Sequence, residues 1–196
     1  MTYRLFVKDD LEGITAEQLE EALASLPAWR REKALRFKHE QGRRECALAY
    51  HLLCKALKKV YGIEEQPHFS IGEHGKPILA EHPEIHFNLS HCKKAVACVV
   101  SSEEVGVDVE CIGRYNESLA RHVLNDAEYS EVCTSSDPQL LFTSYWTQKE
   151  AIVKLTGRGI DDDLKNLLLN YPQASLHTEP HPEKGYVLTV ATWKTP

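Results

Sequence analysis

Three observations predict an α+β fold built from two halves of similar length, each a small, mostly antiparallel sheet packed with helices. Segments with helical periodicity carry recognisable start and stop signals, short segments with period-two alternation follow them, and this order of helices then strands recurs after about residue 103. No repeat by residue identity accompanies the recurrence, so the halves are placed at 1–103 and 104–196 from pattern alone.

An opening strand is expected over residues 2–8. Thr15-Ala16-Glu17-Gln18 has the form of a capping box and starts a short helix that Pro27 ends. Helical patterning continues over 28–38 and again from Gly42 to Tyr61, where Gly62 is a stop signal. Strands are expected at 68–71, 85–89, 95–101 and 105–110. Beyond the boundary, 116–124 and 126–133 read as short helices. Asp137-Pro138 then opens a longer one, with an N-cap before proline in the first turn, and Gly157 and Gly159 end it. The closing segments, above all 186–193, read as strands, and the proline-containing stretch 178–183 is expected to be a turn or loop.

Composition excludes several classes. Of the 196 residues 42% are hydrophobic and 27% charged, which argues against disorder. The N-terminus has neither a basic leader nor an apolar run, so a protein of the cytoplasm without a membrane span is expected. Cys46, Cys54, Cys92, Cys98, Cys111 and Cys133 form no C-x-x-C pair and sit mostly in apolar segments, as buried reduced thiols do. His82 and His86, and His177 and His181, have metal-like spacing, but neighbouring prolines keep them off regular helices, and all four are read as loop histidines. The net charge of -6 is unevenly spread: between Trp29 and Lys59 there are ten basic and three acidic side chains. Such a block is either a solvated helix face or an attractor for phosphate or an acidic partner.

The chemistry concentrates in two segments. In Gly106-Val107-Asp108-Val109-Glu110, strand alternation sends the valines one way and both carboxylates the other. In Trp146-Thr147-Gln148-Lys149-Glu150-Ala151-Ile152-Val153-Lys154, helical spacing puts Glu150 and Lys154 on one face. Taken singly, these describe a half-buried strand and an ordinary surface ion pair. Together they offer oxygen ligands suited to Mg²⁺ beside a lysine suited to phosphate.

These segments, with Phe87-Asn88-Leu89-Ser90-His91, Gly75-Lys76-Pro77 and Arg31-Glu32-Lys33-x-x-Arg36-Phe37-x-His39 upstream, resemble in order and spacing the signature of the surfactin-type (Sfp-type) 4'-phosphopantetheinyl transferases over roughly residues 28–158. The resemblance implies a monomeric pseudo-dimer of two α+β halves with the active site in the cleft between them. It implies Mg²⁺-dependent transfer of the phosphopantetheine arm of coenzyme A to a serine hydroxyl of an apo acyl carrier protein or peptidyl carrier domain, releasing adenosine 3',5'-bisphosphate. Asp108, Glu110 and Glu150 match the magnesium ligands, Ser90 and His91 residues at the coenzyme A phosphates, Lys76 and Pro77 the nucleotide-binding turn, and Lys154 a lysine at the pyrophosphate. Arg30 and Lys33 align with basic residues near the 3'-phosphate, so nucleotide contacts fall in 1–103 and metal and catalytic residues in 104–196. Asp108, Glu150 and Lys154 are the catalytic candidates, with Glu150 taking the serine proton.

The chain departs from the family pattern at Ala49-Tyr50 and at Glu45-Cys46, the latter where some members carry a phosphate-binding Arg-Thr pair, and Arg44 is expected to replace part of that contact. Glu128 is a candidate for the carrier-facing side, or else a solvated helix residue. Trp146 is read as core packing. Two rivals use the same residues: a Mg²⁺-dependent nuclease, against which the acidic second half argues, and a non-catalytic coenzyme A-binding module. Neither nucleic acid nor a membrane is an expected partner.

Overall fold

A computed structural model describes residues 3–72, 75–113, 115–159 and 163–194. Thr2, the first residue of the expected opening strand, lies outside them.

In the first half, strand β1 (Tyr3–Lys8) is followed by helices α1 (Ala16–Ala24), α2 (Ala28–Leu35) and α3 (Glu40–Tyr61), a hairpin β2 (Phe69–Ile71) and β3 (Pro77–Leu79), and strands β4 (His86–His91) and β5 (Val96–Ser101). In the second, β6 (Val105–Cys111) precedes α4 (Glu117–Val123), α5 (Asp126–Thr134), α6 (Pro138–Thr156), the short α7 (Leu167–Asn170), and strands β7 (Ala174–His181) and β8 (Tyr186–Trp193). The main sheets have the orders β1-β5-β4 and β6-β8-β7, and every pairing is antiparallel. Their connectivity is the same: a first strand, a run of helices, then two strands of which the last pairs with the first. The α+β expectation is borne out.

Strand alternation joins the two sheets through β5, which is buried on both faces. Val96, Cys98 and Val100 pack under Leu53 and Leu57 of α3, while Ala97 and Val99 pack against Val105, Val107 and Val109 of β6 and Tyr186, Leu188 and Val190 of β8. The opposite face of β8 meets α6, where Ala191 packs against Ala151, Ile152 and Leu155.

Local sequence explains the helix ends. Thr15 accepts from the Gln18 N–H while the Gln18 side chain accepts from the Thr15 N–H, the expected capping box. Asp137 caps α6 by accepting from the Leu140 N–H at 3.0 Å, and Gly157, at φ 66°, closes it.

Two expectations need correction. Residues 178–181 continue β7 rather than forming a loop. β7 is an edge strand, where proline's missing N–H costs no ladder bond, so Pro180 sits opposite Val187 without breaking the pairing. His177 and His181 are therefore strand residues, flanking Glu179, and His86 opens β4.

Candidate active site

The edges of the two sheets meet along β4 and β6, and side chains rather than backbone groups join them. Alternation along β4 points Asn88 and Ser90 at β6: Asn88 Oδ1 accepts from the Val107 N–H at 3.1 Å and Ser90 Oγ from the Val109 N–H at 3.2 Å. These bonds satisfy edge N–H groups that would otherwise be buried unpaired.

The valines and carboxylates of β6 face opposite ways, as the alternation requires, but the acidic face is covered by α6 rather than solvated. Gly106 makes that cover possible. A Cβ there would lie 2.1 Å from the Ala151 carbonyl oxygen and 2.5 Å from the Leu155 N, so only glycine lets the helix backbone lie on the strand. One helical turn around that contact carries Glu150 and Lys154.

Asp108 is only 3% exposed. Its Oδ1 accepts from Lys154 Nζ at 2.7 Å and from the Ser90 hydroxyl at 2.9 Å, and Lys154 Nζ also donates to Ser90 Oγ at 2.9 Å. Three residues from β4, β6 and α6 thus close a triangle across both halves. Asp108 Oδ2 is buried with no hydrogen-bond partner. Glu150 is close enough to register: burial first, then the Asp108 charge, pushes its carboxyl above the ordinary carboxylate range, against the opposing pull of Lys154.

The donor set fits magnesium in kind. Mg²⁺ is commonly held by one or two carboxylates plus substrate phosphates, and the unpartnered Asp108 Oδ2 beside Glu150 provides hard oxygen atoms of that type. No group of three His, Cys, Asp or Glu side chains among the described residues is arranged as a ready-made metal cage. Glu110 lines a neighbouring cavity of about 380 Å³ together with Glu45, His91, Lys93 and Cys111.

The remaining predicted residues are distributed as follows. His91 flanks that cavity with its Nδ1 3.0 Å from Glu45 Oε2. Lys76 donates from Nζ to the Lys154 and Leu155 carbonyls at 2.9 and 3.3 Å, a cation on the C-terminal end of α6. Burial lowers its ammonium pKa, opposed by Glu104. With Pro77, Phe87, Arg158 and Trp193 it lines a second cavity of about 590 Å³. Arg30 donates to the Cys46 carbonyl at 3.2 Å and lies over the Tyr50 ring, and Arg44 donates to the Leu11 carbonyl and to Glu40. Both guanidiniums therefore brace the first half, while each keeps a buried, unpartnered Nε. Lys33 is exposed in the last turn of α2. Trp146 packs on Phe142, as a core residue does.

Glu128 is not a solvated helix residue. It is buried and pairs with Lys149 at 2.8 Å while its carboxylate caps Asn125. Lys149, 1% exposed, also donates to the Leu164 and Lys165 carbonyls, both at 2.9 Å, tying α5, α6 and the segment before α7 together. Sequence reading gave Lys149 no structural part.

Comparison with known proteins identifies relatives of this chain. A family model described as the 4'-phosphopantetheinyl transferase superfamily matches residues 104–191. The chain is similar to 4'-phosphopantetheinyl transferase HetI of Nostoc sp., 32% identical over 174 residues that cover 83% of this chain and 73% of the relative. It is similar to 4'-phosphopantetheinyl transferase Sfp of Bacillus subtilis, at 27% over 150 residues covering 75% and 67%. It is similar to 4'-phosphopantetheinyl transferase AcpT of Salmonella typhimurium, at 38% over 111 residues covering 54% and 55%. With HetI matched over most of both chains and the second half matched by the family model, this chain belongs to the 4'-phosphopantetheinyl transferase superfamily.

Proposed function

We propose that this protein transfers the 4'-phosphopantetheine arm of coenzyme A to a serine hydroxyl of an apo acyl or peptidyl carrier protein, in a Mg²⁺-dependent reaction that releases adenosine 3',5'-bisphosphate. The observation that carries the proposal is the triangle of Ser90, Asp108 and Lys154 with Glu150 beside it and one buried Asp108 oxygen left open.

In the reaction, the serine oxygen forms a bond to the β-phosphorus of coenzyme A as the bond from that phosphorus to the departing bisphosphate breaks. Positioning and charge stabilisation supply the catalysis, since no covalent intermediate with the protein is needed. Asp108, Glu150 and Glu110 are the residues to hold Mg²⁺, which when bound neutralises pyrophosphate charge and polarises the phosphorus. Lys154, half-buried and held against Asp108, presents its ammonium to the phosphate oxygens and stabilises charge on the leaving group. Glu150, whose carboxyl is held above its ordinary range by burial and by the Asp108 charge, takes the serine proton. Ser90, which donates to Asp108 and accepts from Lys154, orients both.

The division of labour follows the halves. Residues 1–103 supply Ser90, His91 and Lys76, residues 104–196 supply the carboxylates and Lys154, and one copy of the chain therefore carries a complete site as a monomer. No disulfide joins the six cysteines among the described residues, which fits a reducing cytoplasm.

The test is to incubate the protein with coenzyme A, Mg²⁺ and a panel of apo-carrier proteins and to weigh the carriers intact. A mass gain equal to one phosphopantetheine arm, abolished by chelator, supports the proposal. Coenzyme A binding without any gain would point instead to a non-catalytic binding module, and no coenzyme A binding would remove the reading.

A further inference from the structure

We infer that Glu45 is a positioning residue for substrate binding: it fixes the ring of His91 so that Nε2 is the nitrogen presented to an anion in the cavity between α3, β4 and β6. The identity of that anion, a phosphate of coenzyme A, rests on the proposed function; the ring geometry does not.

Glu45 lies in the second turn of α3 and is 8% exposed, an unusual setting for a carboxylate in a helix segment otherwise rich in arginine. Both of its oxygens are engaged. Oε1 accepts from Gln41 Nε2 at 2.7 Å, and Oε2 lies 3.0 Å from His91 Nδ1. Burial alone would push the Glu45 carboxyl up, but the bonds from His91 and Gln41 outweigh it and hold the group below its ordinary range. An ionised carboxylate only accepts, so His91 Nδ1 must be the donor. The buried carboxylate thus decides which ring nitrogen carries the proton and which way the imidazole faces, as an orienting carboxylate does for a metal-bound or catalytic histidine.

The placement explains why a negative side chain sits at an anion site. Glu45 is covered by the ring it holds: its side chain is 10% exposed and that of His91 is 43% exposed. An incoming phosphate meets the imidazole edge and Lys93 in a cavity that Glu45 and Glu110 also line. A charged ring held this way donates Nδ1–H to Glu45 and Nε2–H to the anion at the same time. Without Glu45 the ring loses its anchor and the anion has to order it on binding.

The experiment combines two readouts on the full chain. The His91 tautomer is read from ¹⁵N–¹H correlation spectra, at a pH where the ring is neutral, in wild type, Glu45→Ala and Glu45→Gln. KM for coenzyme A and kcat are measured on the same proteins, with coenzyme A affinity by calorimetry. The inference expects Nδ1–H in wild type, its loss in Glu45→Ala, and an increase in KM and Kd of about tenfold with kcat changed by less than about twofold. Glu45→Gln, whose amide oxygen still accepts, keeps the Nδ1–H tautomer and most of the affinity. A purely structural part for Glu45 would instead lower the melting temperature without splitting KM from kcat. An Nε2–H tautomer in wild type, or unchanged coenzyme A affinity in Glu45→Ala, would overturn the inference. Should wild type bind coenzyme A yet modify no carrier, the transfer proposal fails while the tautomer and Kd still decide the part of Glu45; absence of coenzyme A binding removes the transfer proposal and the anion's identity, while the tautomer still decides whether Glu45 fixes the ring.

Discussion

The Glu128–Lys149 pair makes a quantitative prediction about what holds the catalytic helix in place. Both groups are buried, at 6% and 1% exposure, and their charges lie 2.8 Å apart. Glu128→Ala leaves the Lys149 ammonium in a dry site with the Leu164 and Lys165 carbonyls as its hydrogen-bond acceptors and the Asp163 charge nearby. Breaking one side of a buried pair costs about 3–5 kcal/mol. The same change also removes the side-chain bond to the Asn125 N–H, one arm of a capping box. For a chain of this size about 4 kcal/mol corresponds to a drop of roughly 8–16 °C in melting temperature. The loss should depend on pH in a defined direction. Burial already lowers the Lys149 ammonium pKa, with Glu128 opposing it, so removing Glu128 favours the neutral amine in the fold. Destabilisation then eases as pH rises towards the range where Lys149 sheds its proton. Urea denaturation of wild type, Glu128→Ala, Lys149→Met and the double variant, followed by circular dichroism at several pH values, measures both effects. The double-variant cycle should give a coupling of about 2 kcal/mol or more. A Glu128→Ala loss under about 1 kcal/mol, or additive single-variant effects, would refute the reasoning.

Three further outcomes are expected. Gly106→Ala should cost about 1–3 kcal/mol or more and impair transfer, because the added Cβ falls 2.1 Å from the Ala151 carbonyl oxygen and pushes α6 off β6; a variant of wild-type stability by urea unfolding would contradict the close contact. In chelator-treated protein, Glu150→Gln should be more stable than wild type at neutral pH. The wild-type carboxyl titrates higher folded than unfolded, so wild type loses stability as pH rises through that interval, and the difference between the proteins should vanish below the ordinary carboxyl range, as urea midpoints between about pH 3 and pH 8 would report. Asp9 has the opposite sign: bonds from Lys184 and Tyr186 hold its carboxyl below the ordinary range, so its contribution is present at neutral pH and is lost as pH falls through that lowered value. The pair is partly exposed and the effect is under about 1 kcal/mol, seen as a shallower acid limb in Asp9→Asn.

The legibility of this chain divides along physical lines. Capping at Thr15 and Asp137, the stops at Gly62 and Gly157, and the alternation of β6 were readable because they depend on residues within one turn or one strand. β3, a three-residue strand beginning at Pro77, has too little pattern to announce itself. Pro180 pointed to a loop, since edge position is a property of sheet order and not of the local sequence. At the site, Asp108, Glu150 and Lys154 were expected together and do converge. That Ser90 bridges Asp108 and Lys154 depends on β4 docking on β6, a tertiary event that spacing does not encode. Arg30 was matched to a phosphate by the family resemblance and Arg44 at a departure from its pattern; the Cys46 and Leu11 carbonyls to which they donate are brought to them by the tertiary fold and were not legible. Glu128 and Lys149 stood 21 positions apart in the sequence, each unremarkable on its own helix. Glu45 stood out only as a departure from the family pattern, and its meaning came from the ring it holds.

The most direct test of the account is the rate of holo-carrier formation, followed by intact mass, in wild type, Asp108→Asn and Lys154→Met, with unfolding curves confirming that each variant is folded. If the Ser90–Asp108–Lys154 triangle is the catalytic centre, both substitutions lower kcat by about 100-fold or more. Rates within about twofold of wild type in folded Asp108→Asn and Lys154→Met proteins would contradict it.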